Sequence, residues 1–104
     1  VNHPVFPGSG DDVYHQKITE ELLPALDEFR PEVYLFSAGF DAHVDDLMSG
    51  TSLSTEGYDF ISEALISAAL DHAQGRIISV LEGGYNLEVL PLLVGNHIKK
   101  LMGI

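Results

Sequence analysis

Val33-Tyr34-Leu35-Phe36-Ser37-Ala38-Gly39-Phe40-Asp41-Ala42-His43 opens as a run of strand formers, stops at a glycine and passes into a polar loop. A second run, Ile77-Ile78-Ser79-Val80-Leu81-Glu82-Gly83-Gly84-Tyr85-Asn86, repeats the arrangement. Continuous apolar runs predict strands covered on both faces, as in a parallel sheet. Between them lies a helix pattern. Ser54 or Thr55 can cap it, Tyr58, Ile61, Leu65, Ala68 and His72 recur at spacings of three and four, and Gly75 fits its end. Strand, helix, strand with short joins is the βαβ unit, so the expected class is α/β with a parallel sheet and flanking helices. In such sheets ligands bind beyond the carboxyl ends of the strands. The loops from Gly39 and from Gly83 should therefore share one edge.

Working outward, Val1 to Gly10 is rich in Pro and Gly and reads as loop. Asp11 is the expected N-cap of a first helix, in which Ile18, Leu22, Leu26 and Phe29 keep helical spacing. Pro24 should kink or restart that helix, and Pro31 should end it. After the second strand, Leu87, Leu90, Val94, Ile98 and Leu101 stripe a last helix, with Pro91 near its start and Lys99 and Lys100 near its end.

The chain has 104 residues, 16 acidic against 5 basic, and a net charge of −11. That balance excludes a basic nucleic-acid surface and docking on anionic lipid. It tolerates a cationic partner such as a lysine-rich tail or a polyamine. With no cysteine, disulfides, thiolate zinc sites and cysteine nucleophiles are excluded. No apolar run reaches the ~20 residues of a membrane span, and no signal peptide is visible. A cytoplasmic protein is the expectation.

The two loops hold the residues able to do chemistry. Asp41 follows the first strand closely enough to aim a carboxylate into the cleft. It reads either as a metal ligand, since zinc accepts Asp oxygen beside His nitrogen, or as a turn carboxylate. Gly83 and Gly84 permit close backbone approach and fix the direction of Tyr85. Its phenol could donate to a developing oxyanion, or simply be the half-buried aromatic of a strand-to-helix turn.

Taken together, Ser37-Ala38-Gly39-Phe40-Asp41-Ala42-His43 and Leu81-Glu82-Gly83-Gly84-Tyr85-Asn86-Leu87 resemble the histone deacetylase and acetylpolyamine amidohydrolase family. Leu53 to Tyr58 and the opening Val1-Asn2 with Pro7 to Asp12 and Tyr14 resemble further segments of it, in the same order. Glu82 ahead of the paired glycines has the flavour of the bacterial and class II branch. The resemblance implies an arginase-like fold and zinc-assisted hydrolysis of an N-acetyl amide, on acetyl-lysine or an acetylpolyamine. It implies that Asp41 is one of three protein ligands to Zn2+, that Tyr85 polarises the acetyl carbonyl, and that Phe40, Gly83 and Gly84 line the substrate channel.

The departures limit what this segment should do alone. The family's Asp-x-His ligand motif and His-His pair normally lie upstream; these 104 residues hold no match to that upstream Asp-x-His motif and no His-His pair. The family's Asp-Pro-Leu-Gly is Asp46-Leu47-Met48-Ser49-Gly50 in this chain, which puts the rigidity of that loop in question. His43 reads as a rim residue, His72 and His97 as packing or surface positions, and His3 and His15 as solvent-exposed. Asp45 and Asp46 read as solvated loop carboxylates or cap partners. Residues 1–104 are therefore expected to be the C-terminal part of one deacetylase catalytic domain, inactive alone and self-associating through an uncovered apolar face. The rival readings are a non-catalytic remnant or binding module of the same fold and an arginase-like enzyme. The latter would favour Asp-x-Asp pairs, which Asp41-Ala42-His43 does not match.

Overall fold

A computed structural model describes residues 1–104. Its elements are α1 (Asp11–Gln16), a π-helical segment (Lys17–Leu22), α2 (Leu23–Phe29), β1 (Tyr34–Ala38), α3 (Thr55–Ala73), β2 (Ile77–Leu81) and α4 (Leu90–Met102). β1 and β2 pair in parallel, from Tyr34 opposite Ile77 to Ala38 opposite Leu81, with α3 as the crossover. The expected βαβ unit is present, and the second strand has the expected bounds.

The first helix differs in two ways. Gly10, extended at φ −109° and ψ −163°, is its N-cap, and Asp11 is the first helical residue. The Asp11 carboxylate is drawn instead to the start of α3. Its Oδ1 accepts from the Ser54 amide at 2.8 Å and its Oδ2 from the Ser54 hydroxyl at 2.5 Å. Burial pushes the Asp11 carboxyl up, but the Ser54 hydroxyl and amide, with His15 and His43 nearby, hold it below the usual range. The second difference is the π-helical stretch just ahead of Pro24. A proline supplies no N–H to the ladder, and the turn before it widens. Arg30, left-handed at φ 52°, ends the helix before Pro31.

Small residues let α3 approach the sheet closely. Ala68, Ala69 and Ala73 pack on Tyr34, with Leu23, Leu26, Phe36 and Ile77 around them. A second cluster, Phe40, Leu53, Tyr58 and Leu93, fills the space under the loops at the strands' carboxyl ends. In α4 the buried residues are Leu93 and His97, while Ile98 and Leu101 are exposed. The covered face is therefore rotated from the stripe expected of Leu90, Val94, Ile98 and Leu101. His97 is a buried link rather than a surface group: its Nδ1 bonds the Ser62 hydroxyl at 2.9 Å and its Nε2 the Ser79 hydroxyl at 2.8 Å.

Only one face of the sheet is covered. Leu35, Ile78 and Val80 remain 71%, 56% and 55% exposed on the other. The expectation of strands covered on both faces is not met within these residues, because both long helices pack on the same side. No helix is long and apolar enough to cross a membrane.

Candidate active site

Past the last ladder pair the two strands stay joined. The Glu82 amide donates to the Ala38 carbonyl at 3.0 Å, and the Phe40 amide to the Gly83 carbonyl at 2.8 Å. The loops from Gly39 and Gly83 thus leave one edge side by side. At that edge the Asp41 carboxylate rests on glycine. A Cβ on Gly83 would stand 2.8 Å from Asp41 Oδ1, and one on Gly39 3.2 Å from the same atom. Gly84 takes φ +140°, and a Cβ there would lie 2.6 Å from Leu90 Cδ1. A side chain at Gly83 would thus have to push the Asp41 carboxylate aside and one at Gly84 the Leu90 side chain, and the backbone angle of Gly84 favours glycine as well.

Asp41 is half-buried, and no protein donor bonds its carboxylate oxygens, whereas its carbonyl and the backbone that follows are held at several points. Ser49 Oγ donates to the Asp41 carbonyl at 2.5 Å and Thr51 Oγ1 to the Ala42 carbonyl at 3.1 Å. The Leu53 amide also reaches the Ala42 carbonyl, and the Val44 amide reaches the Leu53 carbonyl. The Ala42 amide donates to the Tyr58 phenol at 3.0 Å. Burial raises the pKa of that phenol far above its ordinary value, so it stays neutral.

Phe40 turns inward. It is 4% exposed and its ring lies 5.2 Å from Tyr58 and 5.9 Å from His97, centre to centre. Within these residues it seats the loop in the core. His43 is also buried, not at the rim. Its Nδ1 accepts from the Asp45 amide at 3.1 Å, so Nε2 carries the proton toward Thr55 Oγ1 at 3.2 Å. Both nitrogens are engaged, and His43 is a loop clamp. His72 bridges the Tyr34 phenol at 2.9 Å and Asp27 at 2.8 Å at the opposite end of β1. His3 and His15 are half-buried rather than exposed; His3 pairs with Glu21 at 2.7 Å and His15 stacks on Phe60 at 3.9 Å.

Tyr85 is 58% exposed, and its hydroxyl bonds nothing within the chain. Its backbone is fixed by a residue that the sequence had marked as solvated. Asp46 is 4% exposed. Its Oδ2 accepts from the Tyr85 amide at 2.7 Å and the Asn86 amide at 3.2 Å, and its Oδ1 from the Met48 amide at 2.9 Å. The Tyr85 amide foremost, then Met48, hold the Asp46 carboxyl below its usual range against the opposing effect of burial. The turn after the paired glycines, with amides that no helix or strand satisfies, is the one signal that could have predicted such an acceptor.

No three His, Asp or Glu side chains converge anywhere in the chain. Catalytic zinc takes three protein ligands, so these residues do not by themselves fit the metal. Asp41 offers one free oxygen ligand.

The family profile described as Histone deacetylase domain matches residues 1–101. The histone deacetylase-like amidohydrolase of Pseudomonas aeruginosa is 35% identical over 104 residues, all of this chain and 27% of that protein. A probable deacetylase of Archaeoglobus fulgidus is 39% identical over 88 residues, 85% of this chain and 24% of that one. The solved acetylpolyamine aminohydrolase of Burkholderia pseudomallei matches 97% of this chain and 28% of its own, with a TM-score of 0.82 at 25% identity. The chain spans between 6% and 27% of the length of three curated relatives.

Proposed function

The chain belongs to the histone deacetylase family, and from that premise we propose that the whole protein hydrolyses N-acetyl amides, with Asp41 and Tyr85 in its active site. The observation that carries this reading is the state of Asp41. Its backbone is pinned by Ser49 and its neighbour by Thr51 and Tyr58, its side chain is seated on Gly39 and Gly83, and its oxygens are left unclaimed. A half-buried carboxylate on a pinned backbone, with no protein donor of its own, is available to a cation. It would fill one ligand position of a zinc ion, with the other ligands from outside residues 1–104.

Tyr85 takes the role of hydrogen-bond donor to the acetyl carbonyl oxygen. Its hydroxyl is free, its side chain is exposed, and its backbone is fixed before any substrate arrives. A preorganised donor of this kind acts where negative charge develops. The net charge of −11 suits a substrate with a cationic chain, such as an acetyl-lysine tail or an acetylpolyamine.

The test is deacetylation of an acetyl-lysine peptide and an acetylpolyamine by the whole protein. Tyr85→Phe should lower kcat roughly 100- to 1000-fold with the metal retained, and Asp41→Ala should lose metal in elemental analysis. Residues 1–104 alone should bind zinc weakly and be inactive. A whole protein that holds no metal, or cleaves no N-acetyl amide, would favour instead the non-catalytic reading.

A further inference from the structure

We infer that Asp46 is the positioning residue for Tyr85, holding the backbone of the oxyanion donor in register with the Asp41 loop. This rests on the reading of Tyr85 given above. The two loops are joined at their bases by the strand-like bonds of Glu82 and Phe40. Beyond Gly83 those bonds stop, and Gly84 at φ +140° would let the turn swing. The Asp46 carboxylate closes this gap. One oxygen holds its own loop through Met48, and the other gathers the consecutive amides of Tyr85 and Asn86. The clamp is doubled by Asn86, whose Nδ2 donates to the Asp45 carbonyl at 2.8 Å and whose Oδ1 accepts from the Glu88 amide at 2.9 Å.

The geometry suits positioning rather than contact with substrate. Asp46 is buried, and all its bonds run to backbone amides. Amide-to-carboxylate bonds are charge-assisted and shorter than neutral ones. The phenol of Tyr85 stands at the end of a long side chain, so a small rotation of its backbone moves the hydroxyl far. Misplacement of a catalytic group by about 1 Å can lower a rate roughly 100-fold.

The experiment is a double-mutant cycle in the whole protein, with Asp46→Asn, Tyr85→Phe and the pair, reading kcat, KM and bound metal. Asp46→Asn should lower kcat roughly 10- to 100-fold and leave KM within about twofold. In the Tyr85→Phe background the same change should lower kcat no more than about twofold, since the group being positioned is gone. An equal loss in both backgrounds, or no loss in either, overturns the role of Asp46. A Tyr85→Phe protein of full activity overturns the Tyr85 reading instead, and the two failures are thereby distinguished. Hydrogen exchange of the unsubstituted protein stands independently of whether the variants fold. The Tyr85 and Asn86 amides should be protected, and exchange at the open-chain rate would overturn the clamp.

Discussion

Gly83 presents its bare Cα to the carboxylate of Asp41, so closely that a methyl group there would stand 2.8 Å from Oδ1 and 2.9 Å from Cγ. The two backbones are tied, Asp41 by Ser49 and Gly83 to Phe40, so the side chain of Asp41 is the part left to yield. Gly83→Ala should therefore displace the Asp41 side chain. In the whole protein the expected outcome is loss of bound metal together with activity, at a stability cost of about 1–3 kcal/mol typical of overpacking. Gly39→Ala, at 3.2 Å from the same oxygen, should do less. Metal content and melting temperature of the two variants check the order; metal retained at full occupancy in Gly83→Ala would count against Asp41 as a ligand.

Tyr58→Phe tests the second support of that loop. The phenol is the acceptor for the Ala42 amide, one residue after Asp41, and Tyr58 itself is 9% exposed. Phenylalanine keeps the packing on Phe40 and removes the acceptor. A buried amide left unpaired costs about 1–3 kcal/mol, and chemical denaturation should show that loss. An unchanged midpoint would mean that water replaces the phenol.

These two positions mark how far the sequence could be read. The parallel pair was legible because two apolar runs each end in glycine, and from the topology alone Asp41 and the glycine pair could be assigned to one edge. The partner of each carboxylate was not. Asp46 bonds an amide 39 positions away, and Asp11 a serine 43 positions away; nothing near either residue encodes those meetings. The packing of Phe40 was not legible for the same reason, since whether a loop side chain turns toward the core depends on Tyr58 and Leu93 beneath it. The stripe of α4 was misread because that helix is apolar on more than one side. Periodicity then cannot tell which side a neighbour covers, and the structure buries Leu93 and His97 while Ile98 lies open.

The uncovered sheet face gives a prediction for residues 1–104 made alone. Leu35, Ile78 and Val80 are each more than half exposed, and each strand has one unpaired edge. Apolar patches rimmed by free strand edges associate. Sedimentation velocity should show oligomers at micromolar concentration, and Leu35→Lys with Val80→Lys should shift them toward monomer. A stable, monodisperse monomer of the unsubstituted segment would sink the expectation of self-association.

His97 makes stability depend on pH. Burial among Phe36, Phe40 and α3 lowers its pKa from the ordinary 6.5. The groups bonded to it are the Ser62 and Ser79 hydroxyls, with no carboxylate to favour the charged ring. In the unfolded chain the imidazole takes up a proton near its ordinary pKa, and in the folded protein only at lower pH. Between those two values the unfolded state binds more protons, so stability rises with pH across that interval. The contribution is full above about pH 6.5 and is lost as pH falls toward the lowered folded value. The carboxyls of Asp11, Glu21 and Asp46 are also held below their usual values, but their contributions fade only in the more acidic carboxylate range. In the whole protein, denaturation midpoints measured from pH 7.5 down to 5.5 should therefore fall, and His97→Gln should flatten that slope while lowering the plateau at high pH. An equal slope in the variant would assign the acid sensitivity to another group and leave His97 as a neutral link between α3, α4 and β2.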